Sequence, residues 1–135
     1  MQDQSNPSLT SLLSLVSLNN IRVWINDLSS FHSRHSKSKY INQVAEWIKS
    51  ILQSFGYTNI YFHHYFEEGY RLRNVICHKR GNTDRIIIIC AHYDCIMEDI
   101  NDAEDRSPGA NDNASGVAVI LELARILSHV RLEGV

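Results

Sequence analysis

The sequence predicts an α/β fold: a mixed sheet, made of a hairpin plus an inner parallel strand, flanked by helices in a partial three-layer αβα arrangement. Three observations predict it. Apolar residues recur at helical spacing through the amino-terminal half and again near the end of the chain. Two alternating segments flank a Glu-Glu-Gly turn, the pattern of a hairpin. The run RIIIICA at 85–91 is continuously apolar and β-branched, as an inner strand covered on both faces would be.

Each element follows in order. Leu9, Leu12, Leu13 and Val16 have the spacing of a short amphipathic helix, whose expected role is packing. A second helix is expected over 19–30, with Ile21, Trp24, Ile25 and Leu28 on one face. Residues 31–39, FHSRHSKSK, lack apolar periodicity and read as a loop. A third helix over 40–55 carries the stripe Ile41, Val44, Ala45, Ile48, Ile51 and Leu52, and Gly56 stands where a C-terminal cap belongs. Strands are expected over 59–66 and 71–78, then a turn at Gly81, Asn82 and Thr83, then the inner strand. After a long polar loop, a last helix runs over 113–130 with Glu122, Arg125 and His129 as its polar stripe. The rest of that helix is apolar most of the way round and calls for cover on several sides.

Composition excludes several classes. The chain has 135 residues, 15.5 kDa, a net charge of −2 and a pI near 6.4, with 44% hydrophobic and 21% charged residues. These are globular values, without the basic excess of a nucleic-acid binder. No apolar run approaches the ~20 residues of a membrane span. Length alone suggests one small complete domain. The first twenty residues lack Lys and Arg, and serines interrupt their leucines, so no signal peptide is evident and the cytoplasm is the default compartment. Cys77, Cys90 and Cys95 are odd in number and form no CxxC pair, which points to reduced thiols, with Cys90 a small buried hydrophobe.

The chemistry concentrates between Ala91 and Gly116. His92 and Asp94, two residues apart just beyond the apolar run, point to the same side at a strand's carboxyl end, where open α/β sheets place ligand sites. An imidazole there can bind a metal through one nitrogen while Asp94 accepts the proton of the other. The bland alternative is a polar strand end with a local hydrogen bond. Asp112 follows the turn Pro108-Gly109 and precedes a helix, so it is either a cap or a ligand. A carboxylate can also bridge two metals. Gly116, unfavourable in a plain helix start, suggests close approach of another backbone.

The strings IIIICAHYD and SPGANDNASGVAVILELARIL resemble the first two metal-ligand blocks of the di-zinc aminopeptidases related to bacterial leucyl aminopeptidase. The FHSRHS segment, the helix ending in FGY and the RNVI strand resemble that family's opening. The resemblance implies an incomplete zinc-exopeptidase fold, with residues 1–135 the amino-terminal part of a single zinc-peptidase domain. It implies His92 and Asp112 as metal ligands, the latter bridging two zinc ions. Asp94 takes its part in catalysis by orienting His92. The family often has a cis peptide after the bridging aspartate, here Asp112–Asn113. Its members are often exported.

The implied activity is metal-dependent removal of amino-terminal residues from peptide substrates. The family completes its site downstream with a Glu-Glu pair, whose first member is the general base, then an aspartate and a histidine. Only Glu122, His129 and Glu133 follow here, and they fit no such motif. Glu67-Glu68 lies upstream and reads as a solvated turn. The acidic loop of Glu98, Asp99, Asp102, Glu104 and Asp105 lacks calcium-loop spacing and reads as solvated. His32, His35, His63 and His64 have no supporting spacing. The chain alone is therefore expected to bind zinc weakly and to be inactive. Alternatives are a glutaminyl-cyclase-like zinc acyltransferase and a non-catalytic truncated relative. A Rossmann nucleotide site fails for want of GxGxxG.

Overall fold

The computed structural model describes residues 7–96 and 102–131. Its elements are α1 (Leu9–Leu13), α2 (Leu18–Ser30), α3 (Ile41–Ser54), β1 (Ile60–Glu67), β2 (Tyr70–Cys77) and α4 (Ser115–Leu127). The chain is thus α/β, with helices packed beside an antiparallel hairpin. Local chemistry sets the boundaries. Ser17 caps α2 by accepting the Asn20 amide at 3.2 Å. At the end of α3, Gly56 adopts φ +91°, Gly56 N–H donates to Gln53 O and Tyr57 N–H to Leu52 O. That pair of bonds is the Schellman termination the sequence signals. The hairpin turns at Glu68 and Gly69, both with positive φ, and registers Glu67 opposite Tyr70 and Ile60 opposite Cys77.

The core lies among three helices. Trp24 and Leu28 of α2 meet Val44, Ile48 and Leu52 of α3 and Val117, Ala118 and Leu121 of α4. Burial of each larger side chain contributes about 1.5–3 kcal/mol, so this cluster dominates the stability of the described residues. Val75, Cys77, Ala91 and Tyr93 pack against its side, which brings the hairpin and the residues before the polar loop onto the helices. Tyr57 adds a polar tie, its hydroxyl donating to Ala124 O at 2.9 Å.

Three expectations need correction. Residues 85–91 pair with no strand among the described residues, where the sheet contains β1 and β2 alone. Ile86, Ile87, Ile88 and Ile89 are 53–84% exposed rather than buried on both faces. An inner strand needs partners on its edges and layers on its faces, and neither is present among these residues. Cys90 shares that exposure, whereas Cys95 is the buried thiol; all three cysteines are free, as expected. The short first helix forms but buries nothing, leaving Leu9 and Leu13 exposed. The last helix keeps an uncovered apolar face among the described residues, with Val119 exposed, in line with its need for cover on several sides. Within its polar stripe, Glu122 is buried, bonded to Ser17 N–H, Asn20 and Arg125.

Candidate metal centre

Two segments converge on the site. The first leaves the apolar run and carries His92, Tyr93 and Asp94. The second passes through Ser107, Pro108 and Gly109 into an irregular turn, Ala110–Ala114, ahead of α4. In that turn Asp112 (φ −121°, ψ 95°) and Asn113 (φ −135°, ψ 43°) leave helical geometry, and the Asp112–Asn113 peptide is cis, as the resemblance implied. The cap at this helix start is supplied by Asn113, whose Oδ1 accepts the Gly116 amide at 3.0 Å. A Cβ at Gly116 would strike that side chain, so the glycine makes room for a neighbouring side chain rather than for another backbone.

Asp112 is thereby released from capping, and its carboxylate is 81% exposed. Its Oδ1 stands 3.1 Å from His92 Nε2. On the other side of the ring, His92 Nδ1 lies 3.4 Å from Asp94 Oδ1 and 3.1 Å from the Asp94 carbonyl. Both partners of Nδ1 are acceptors, so a proton on Nδ1 is satisfied there, and in that tautomer the Nε2 lone pair faces Asp112. Two acceptors facing each other at that distance need a proton or a cation between them. A tetrahedral zinc with bonds of ~2.0–2.1 Å to nitrogen and oxygen keeps two donors roughly 3.3 Å apart. The observed spacing fits two donors of one ion. Among the described residues no three His, Cys, Asp or Glu side chains converge as a metal site, so the donor set is partial.

His92, Asp94 and Asp112 are brought together from separate segments. The other candidates lie elsewhere. Glu68, at the hairpin tip, pairs with Lys37 at 2.6 Å. Asp102, Glu104 and Asp105 are exposed, with Glu104 bound to Lys39 at 3.1 Å; Glu98, Asp99 and Glu133 lie outside the described residues. His32 contacts the Glu104 carbonyl at 3.0 Å. A cleft beside His92 and Asp94 is lined by Tyr65, Arg71 and Arg73 of the hairpin.

Sequence reading assigned no role to Arg34, and it is the buried centre of this region. The side chain is fully covered. Its Nε donates to Tyr93 O at 3.0 Å, Nη1 to Leu28 O at 3.0 Å and to Pro108 O, and Nη2 to Gly109 O at 2.9 Å. Burial lowers its pKa below the ordinary arginine value, while Cys95, Asp94 and Asp112 act in the opposite sense. The available signal was an arginine between Ser33 and His35 in a loop without periodicity, which does not by itself separate a buried guanidinium from a solvated one.

A helix-backed hairpin followed by an imidazole held between two carboxylates defines an α/β protein with a candidate metal centre. Residues 74–133 match Peptidase family M28. The "Probable zinc metalloprotease" of Pyrenophora teres f. teres is 31% identical over 89% of this chain and 29% of its own length. The "Leucine aminopeptidase 1" of Arthroderma gypseum is 30% identical over 87% of this chain and 33% of its own length. A Zn-dependent exopeptidase from Parabacteroides distasonis shares the fold, with a TM-score of 0.67 at 21% identity over 84% of this chain and 42% of that one. The chain is similar to these zinc peptidases in sequence and shares part of the fold of the last. It spans about a third of the length of the curated relatives it matches.

Proposed function

We propose that residues 1–135 are the amino-terminal part of a zinc aminopeptidase domain that removes amino-terminal residues from peptides. In this reading His92 is a ligand of one zinc, Asp112 bridges two, and Asp94 orients His92. The observation that carries it is the imidazole held between Asp94 and Asp112, at 3.4 Å and 3.1 Å. Zinc, when bound, supplies Lewis acidity for attack of water on a peptide carbonyl. The chain's own residues prepare that site. Asp94 fixes the tautomer of His92 and so keeps Nε2 available. Asn113 takes the capping duty and so keeps the Asp112 carboxylate free. Pro108 and Gly109 carry the backbone round so that the carboxylate meets the ring.

Two donors are fewer than the about three protein ligands a catalytic zinc takes. The 135-residue chain is accordingly expected to bind zinc weakly and to lack turnover. Titration of the purified chain with cobalt(II), read by visible absorption, tests the ligand assignment. Binding should disappear in both His92→Ala and Asp112→Asn. Equal binding by wild type and His92→Ala would refute the assignment. Hydrolysis of an aminoacyl anilide by this chain, lost in His92→Ala, would refute the statement that further groups are required.

A further inference from the structure

We infer that Arg34 is the positioning residue of this centre, its guanidinium setting the separation of His92 and Asp112 by holding the backbone on both sides of them. The inference rests on the metal-centre reading above but makes a claim of its own about the apo chain. The carbonyls Arg34 collects are distributed rather than local. Tyr93 lies between His92 and Asp94. Pro108 and Gly109 lead directly into the turn that carries Asp112. Leu28 ends the buried face of α2 and anchors the whole group to the core.

The chemistry at Arg34 is hard to reproduce with another residue. Four carbonyls in different directions need a planar fork of donors, which guanidinium has and ammonium lacks. Burying a cation without a carboxylate in direct contact is costly, so its presence is poorly explained as a contribution to stability alone. Gly109 is shaped to admit it. A Cβ there would lie 2.8 Å from Arg34 Nη2 and 2.5 Å from Asp112 O, on a backbone at φ +47°. The main chain of the same loop repeats the connection: Cys95 N–H donates to Arg34 O at 3.0 Å, and Arg34 N–H donates to Ser107 Oγ at 3.1 Å. Ser107 N–H donates to His32 O at 3.0 Å.

The test compares Arg34→Lys with wild type in the full 135-residue chain, using amide hydrogen exchange by NMR. The amides of Cys95, Ser107 and Ala114 report on the two segments, and those of Val44 and Ile48 report on α3. Arg34→Lys should speed exchange at the first three by about tenfold or more, the factor carried by one hydrogen bond to a charged group, with Val44 and Ile48 unchanged. Unchanged exchange at all five would overturn the inference. So would equal acceleration at all five, which is the signature of general destabilisation. If Arg34→Lys loses its helical circular dichroism, Gly109→Ala disturbs the same contact from the acceptor side. Because the new Cβ would also strike Cys95, the readout is then Ser107, which must accelerate along with Ala114; acceleration confined to Ala114 and Cys95 overturns the inference.

Cobalt titration of the same proteins separates this claim from the ligand assignment. Weaker cobalt binding by Arg34→Lys, with the α3 amides still protected, supports positioning; cobalt binding equal to wild type overturns it. Wild-type absorption that is independent of His92 refutes the metal-centre reading, and the exchange experiment still decides whether Arg34 couples the two segments.

Discussion

The side-chain oxygen of Asn113, and not that of Asp112, accepts the Gly116 amide at the start of α4, at 3.0 Å. Two adjacent residues of similar shape therefore have separate tasks. Asn113→Ala should lower stability by about 1 kcal/mol, the usual cost of losing a cap. Asp112→Asn should change it by no more than about 0.5 kcal/mol, as an exposed substitution does. Urea midpoints of the two variants check this, and a larger loss in Asp112→Asn would reverse the assignment.

Gly109 and Gly56 both adopt positive φ, but only Gly109 is also hemmed in. A Cβ at Gly109 would meet Asp112 O at 2.5 Å and Cys95 Cβ at 2.6 Å, whereas one at Gly56 meets nothing within 4 Å. Gly56→Ala should cost the left-handed conformation alone, about 1–2 kcal/mol. Gly109→Ala should cost that plus roughly 1–3 kcal/mol of overpacking. Thermal unfolding of the pair measures the difference, and equal losses would show that the crowding at Gly109 relaxes freely.

Glu122 is buried and accepts from Arg125, Ser17 and Asn20, with Arg125 the largest influence in holding its pKa below the ordinary carboxylate value. The sign follows from that direction. A depressed folded-state pKa contributes stability that is present above the unfolded value of ~4.3 and is lost as pH falls through the folded one. Wild type should therefore lose stability more steeply than Glu122→Gln on acidification from pH 5 to pH 3. Parallel profiles of unfolding midpoint against pH would show that this carboxylate is not linked to folding.

Ile86, Ile87, Ile88 and Ile89 form an exposed β-branched run without a strand partner among the described residues. Such a segment is a site for edge-to-edge association. Ile87→Lys should reduce concentration-dependent light scattering of this chain and leave its thermal midpoint within about 1 °C, since a side chain 68% exposed has little packing to lose. Unchanged scattering would place association elsewhere, with the exposed Leu9 and Leu13 the next face to alter.

Much of the fold was legible because it is encoded locally. The apolar stripe of α3 and its glycine cap, the faces of α2 and the two-residue hairpin turn each depend on neighbours within a few positions. The site was legible through its motif strings, which marked His92, Asp94 and Asp112. Harder to read were properties that depend on distant partners. The exposure of Ile86–Ile89 depends on what lies against them, and hydrophobicity states only what would be favourable. Glu122 looked like one member of a polar stripe until Ser17 and Asn20 were found across it.

By itself, the sequence determined the helices and the hairpin and marked His92, Asp94 and Asp112, because spacing and turn chemistry act over short stretches of chain. Tertiary structure alone decided that Asn113 rather than Asp112 caps α4, that His92 and Asp112 stand 3.1 Å apart, and that a loop arginine is the buried connection between them. The physical reason is the same in each case. Hydrogen-bond donors and charged groups choose among acceptors brought near by packing, and that choice is made only when segments remote in sequence share one desolvated space.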